Sequence, residues 1–142
     1  MATEPSTIEL KVGDDPRLAA GAGGVARYLA DAAGLDSQAV SQLQAATAAA
    51  CAEAFQHLTP RDPLLKIVYT RHEDRIEIAF SHKGSAAPAV GLDFMAGFAH
   101  ASPGGGASRN ILTGVDRVQY DTHDGEAVTR LTKYIGHRTA NT

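Results

Sequence analysis

Three short words in this sequence carry side chains that could do chemistry. Ala49, Glu53 and His57 recur every four residues, which stacks them along one stripe of a helix. A carboxylate there can hold a hard cation such as Mg²⁺. It can equally stay a solvated helix residue paired with His57, worth roughly a few tenths of a kcal/mol. In the second word, Ser81-His82-Lys83-Gly84, a neutral imidazole at His82 could accept a hydrogen bond through one ring nitrogen, with a charge that depends on pH. The third word is Gly104-Gly105-Gly106-Ala107-Ser108-Arg109. Its glycines let backbone approach a ligand closely, and the helix start that follows favours anions. Without its surroundings the same run reads as a flexible connector.

Positioning these words requires a set of elements. Ile8, Leu10 and Val12 alternate with polar residues as a half-buried strand does, up to Gly13. Asp14-Asp15-Pro16 then supplies a cap and a first-turn proline, which predicts a helix from about Pro16 to Ala33. Inside it Gly21, Gly23 and Gly24 each cost about 1 kcal/mol relative to alanine, so close packing or a local break is expected there. Gly34 ends that helix, and Asp36 or Ser37 caps a second from about Ser37 to Leu58. Val40, Leu43, Thr47, Ala50, Cys51, Ala54 and Leu58 share one face of it.

Pro60 and Pro63 stop the second helix, and Leu64 to Thr70 with Arg75 to Ser81 predict a hairpin around His72-Glu73-Asp74. Leu65, Ile67 and Tyr69 on one strand, and Ile76, Ile78 and Phe80 on the other, give the hairpin one buried face. From His82 to Gly106 periodicity disappears, with Leu92 to Phe98 as a short apolar helix or turn. A loop this long in a small domain is often functional. Ala107 to Val115 can form a third helix, and Arg117 to Thr122 and Ala127 to Ile135 predict strands joined at Asp124-Gly125. The order implies an α+β fold with helices on one face of a mixed or antiparallel sheet.

The chain has 142 residues, 44% of them hydrophobic and 20% charged, which predicts one soluble domain with a core over about residues 8–135 and polar tails at 1–7 and 136–142. No apolar run could span a bilayer and the first residues lack a signal-peptide pattern, so a cytoplasmic protein with no membrane partner is expected. Net charge is -3 and pI about 6.0, which gives no basic field for direct nucleic-acid binding. Cys51, the single cysteine, is expected to be a small buried hydrophobe. Three other chemistries are disfavoured. Gly21-Ala22-Gly23-Gly24 lacks a dinucleotide loop's spacing, Ser108 lacks a nucleophile elbow, and the six histidines lack zinc-pair spacing.

Taken in this order, the words resemble those of the GHKL (Bergerat-fold) ATPases, most closely the serine-kinase anti-sigma factors of bacterial switches, from about Ile8 to Ile135. Ala49-Ala50-Cys51-Ala52-Glu53-Ala54-Phe55-Gln56-His57 is similar to the family's Glu-Ala-Cys-x-Asn-Ala-x-x-His segment. The family's leading glutamate is a general base and its asparagine a Mg²⁺ ligand; Ala49 and Glu53 stand at those positions. Ser81-His82-Lys83-Gly84 resembles the Asp-x-Gly box that binds the adenine amino group, with His82 at the aspartate position and Gly84 retained. The glycine run resembles the box that closes the ATP lid, with Ala107 at its last glycine. Asp116-Arg117-Val118 and Leu131-Thr132-Lys133-Tyr134-Ile135 resemble the family's Asp-x-Val turn and last strand.

The resemblance implies a two-layer sandwich of the Bergerat ATPase type, with a mixed, mainly antiparallel sheet and helices on one face. It places nucleotide contacts at Glu53, His57, His82, Gly84, Gly104, Gly105, Gly106, Ser108, Arg109 and Thr132, with Glu53 as the metal ligand and no catalytic base at Ala49. ATP and Mg²⁺ are the implied cofactors. A sigma factor or an anti-anti-sigma (STAS-type) protein is the implied partner, and a homodimer the implied assembly. The expected function is a regulatory protein-binding domain with impaired ATP binding and kinase activity. The competing expectations are an active ATP-dependent protein serine kinase phosphorylating the antagonist, and an ATP-binding sensor without phosphoryl transfer.

Overall fold

The computed structural model describes residues 6–60, 63–83, 114–123 and 125–135. Its elements are β1 (Ser6–Val12), α1 (Pro16–Ala32), α2 (Ser37–Phe55), β2 (Leu65–Arg71), β3 (Arg75–Lys83), β4 (Arg117–His123) and β5 (Glu126–Tyr134). The expected long loop beyond Lys83, the glycine run and most of the expected third helix lie outside the described residues, as do both expected tails apart from Ser6 and Thr7.

The fold is α+β, with a five-stranded sheet in the order β1-β2-β3-β5-β4. Every pairing between described strands is antiparallel, the second of the two arrangements that the element order allows; the mixed component that the resemblance implies is not seen among the described strands. The reason lies in the connections. A single crossover helix brings a chain back parallel, whereas two helices separate β1 from β2 and return the chain to the end where β1 finished, so that Val12 pairs with Leu65. At the other side of the sheet, β4 and β5 form a hairpin that turns at Gly125, whose φ of +79° suits glycine.

Strand alternation divides the sheet into two faces. Ile8, Leu10, Val12, Leu65, Ile67, Tyr69, Ile76, Ile78, Phe80 and Leu131 point to the inner face, where they form one core with Ala19, Ala22, Ala26, Leu29, Val40, Leu43, Ala50 and Ala54 of the helices. Lys11, Lys66, Val68, Glu77, Ser81, Lys83, Glu126 and Thr132 occupy the alternate positions and form the outer face. Cys51 is fully buried in the core, as its alanine-rich surroundings suggest.

The helix ends follow from local chemistry. Asp15 caps α1 by accepting from the Arg17 amide at 2.9 Å, with Pro16 at the first helical position. Gly34, at φ +85°, closes α1 with bonds from Gly34 N to Asp31 O (3.0 Å) and Leu35 N to Ala30 O (3.1 Å). Asp36 caps α2 through the Ala39 amide at 2.8 Å. Helix α2 stops at Phe55 rather than Leu58, and Gln56 to Leu58 continue as single turns that keep Leu58 packed on the core.

Helix α1 is unbroken through its glycines, and only one of them needs to be glycine for space. A Cβ at Gly23 would lie 2.8 Å from the Gln44 carbonyl oxygen and 3.2 Å from the Ala48 Cβ, whereas at Gly21 and Gly24 it would meet nothing within 4 Å. Among the described residues no helix is long and apolar enough to cross a membrane.

Candidate functional site

The last turns of α2 and the end of β3 bring three of the expected site residues together. Ala49 lies on the flank of α2 and packs against the core. Glu53 is one turn further on, and His57 sits in the turn beyond the helix, its amide bonded to Ala54 O at 3.0 Å. His82, 3% exposed, is delivered by the alternation of β3, which turns it to the same inner face as Phe80. The His57 and His82 rings lie parallel, with an interplanar angle of 3° and centres 6.4 Å apart. This contact joins two residues 25 positions apart in the sequence.

The Glu53 Oε2 to His57 Nε2 distance is 3.9 Å, with both side chains 28% exposed. That is an electrostatic approach rather than a hydrogen bond, and such half-solvated pairs contribute little to stability. His82 Nδ1 lies 3.5 Å from the Lys83 carbonyl oxygen, a long contact that favours the proton on Nδ1 and leaves Nε2 as an acceptor. The Nε2 atoms of both His57 and His82 are buried without a hydrogen-bond partner among the described residues. Each such atom costs on the order of 1–3 kcal/mol, so polar groups left this way often mark a binding position. A third, Arg71 Nε, is at the opposite end of the sheet.

The donors present decide what the cluster could hold. Mg²⁺ takes oxygen ligands in octahedral geometry, and here one carboxylate stands beside two imidazoles, which suit other metals. Among the described residues no three side chains of ligating type converge on a metal position. Glu53 is thus the one carboxylate of the cluster that could face Mg²⁺, an ion that completes its shell with waters and substrate phosphates. For a nucleobase the match is partial: the buried, unpaired His82 Nε2 has the acceptor character that an amino group needs.

Thr132 is held elsewhere. It is 3% exposed on the outer face of β5, across from Glu77 and Arg117, and its carbonyl accepts from the Asp116 amide at 2.8 Å. Asp116 in turn accepts from the Tyr134 amide at 2.7 Å and approaches Lys133 Nζ at 3.6 Å, so this turn fastens β4 to β5. Gly84, Gly104, Gly105, Gly106, Ser108 and Arg109 lie outside the described residues.

A concavity bordered by His82 escaped the sequence reading. A cleft of about 260 Å³ is lined by Lys11, Leu64, Lys66, Ser81, His82, Lys83 and Glu126. Its lysines are scattered along the sequence, and only strand register gathers them. No protein-family model matches this chain, and no curated protein matches it.

Proposed function

We propose that this chain is a regulatory, protein-binding domain of the anti-sigma serine-kinase type, built on the Bergerat ATPase architecture, in which nucleotide handling is impaired. Its target is a sigma factor or a STAS-type antagonist, held by sequestration. The element order, the antiparallel sheet and the helices on one face support this reading.

The observation that carries the reading is the stacking of His57 on His82 beside Glu53. In the resemblance these positions belong to the phosphate and metal side and to the adenine side of one nucleotide site. Here they bring two imidazoles parallel to each other, with a single carboxylate to attract a metal and an alanine, Ala49, where a proton acceptor would stand. Phosphoryl transfer depends on Mg²⁺, positioning and charge stabilisation, and each of these is weakened by that exchange.

Calorimetric titration with ATP and Mg²⁺ tests the proposal. The expected result is no saturable binding at millimolar nucleotide, together with a stoichiometric complex with a sigma factor or STAS-type partner on size exclusion. Tight nucleotide binding that Glu53→Ala abolishes would overturn it. Transfer of the terminal phosphoryl group of ATP to a serine hydroxyl of the antagonist, releasing ADP and a proton, would establish the serine-kinase alternative.

A further inference from the structure

We propose that the outer face of the sheet carries a binding site for a phosphate monoester, in the cleft that Lys11, Lys66 and Lys83 surround at the ends of β1, β2 and β3. His82 borders both this cleft and the nucleotide cluster, but the groups that carry the proposal, Lys11, Lys66 and Ser81, face away from α2 and make it independent of the nucleotide reading.

Register is the first argument. Lys11 on β1 is the direct antiparallel partner of Lys66 on β2, and Lys66 is in turn the partner of Ser81 on β3. Side chains directly opposite across strands lie about 5 Å apart at Cβ, and like charges placed so are destabilising. Neither Lys11 nor Lys66 has an ion-pair partner among the described residues. Glu9, the next residue on that face of β1, stands across from Val68 and does not line the cleft. An anion between the two ammonium groups removes their repulsion.

Concavity and charge balance are the second argument. Among the described residues that line about 260 Å³ of cleft, three are lysines and one is a carboxylate, Glu126, which stands across from Lys83. The whole chain carries -3, so the local excess of positive charge runs against the overall balance. Ser81 is 5% exposed and its hydroxyl has no hydrogen-bond partner among the described residues, so a neutral donor lines the cleft on the strand beside Lys66. Lysine is a point-charge binder of tetrahedral oxyanions. The cleft is larger than a bare phosphate needs, which leaves room beside Leu64 for the organic part of an ester.

The test is a titration of ¹⁵N-labelled protein with inorganic phosphate and with phosphoserine, at constant ionic strength, followed at the amides of Lys66, Ser81 and Lys83. The expected result is saturable shifts at these residues, weakened about tenfold or more in the Lys11→Gln/Lys66→Gln variant, with phosphoserine binding at least as tightly as phosphate. With no phosphate present that variant should melt no lower than the parent, since it has lost a like-charge pair. Shifts that never saturate, a double variant that titrates like the parent, exclusion of phosphoserine, or a lower melting temperature of the phosphate-free variant would each overturn the proposal.

Discussion

The hydroxyl of Tyr69 donates to the carbonyl oxygen of Ala22 at 2.7 Å, tying the middle of β2 to the middle of α1 across 47 positions of sequence. Tyr69 is fully buried and among the largest side chains in the core. Tyr69→Phe keeps the ring and removes only this bond, and the Ala22 carbonyl remains inside its helix. The expected loss is about 1–2 kcal/mol, read as a lower urea midpoint with an unchanged slope.

Glycine-to-alanine substitutions should change sign within one helix turn. Gly21→Ala and Gly24→Ala meet open space and should each stabilise by about 1 kcal/mol through helix propensity. Gly23→Ala would place its methyl 2.8 Å from the Gln44 carbonyl oxygen, so α1 and α2 must separate, at a cost of about 1–3 kcal/mol. Gly114→Ala should be worse still, because its Cβ would fall on the peptide unit between Gln42 and Leu43, 2.6 Å from the Leu43 nitrogen. Thermal or urea unfolding of the four variants checks the ordering.

Burial pushes the Cys51 thiol up to about 12 from an ordinary 9.0. The native thiol should therefore resist a disulfide-exchange reagent near pH 8 and react only on unfolding. The same shift sets a pH dependence. Below about pH 9 the thiol is protonated in both states and its contribution is complete. Above it the unfolded chain loses the proton that the native chain keeps, so stability falls by about 1.4 kcal/mol per pH unit for each such group. Tyr69, raised mainly by burial and further by Cys51, acts with the same sign starting about one unit higher. Cys51→Ala should flatten the decline between about pH 9 and pH 10.

The local grammar of the fold was legible. Ile8, Leu10 and Val12, the β2 and β3 alternation, the Asp15-Pro16 and Asp36 caps and the Gly34 stop are each written in a few adjacent residues, and the elements start and end within a few positions of those signals. The end of α2 was harder to read, because the apolar stripe runs on through Leu58 although the helical bonds stop at Phe55. Pairing between distant strands has no local signal. Nothing in the composition of β5 says that it lies between β3 and β4, and nothing in Lys11 or Lys66 announces that they face each other. The candidate site was legible as a stripe on α2 and a word after β3. Their meeting through parallel imidazoles depends on how far β3 extends, which a single sequence does not state.

The strand directions also fix where the chain enters and leaves the described fold. Ser6 pairs with Arg71, and Arg75 pairs with Tyr134, so the chain enters β1 and leaves β5 at one end of the sheet, beside the β2–β3 hairpin. Lys11, Lys83 and Glu126 gather at the other. The described fold is therefore entered and left on the far side from the lysines, and residues that join it at Ser6 or Ile135 do so at the hairpin end.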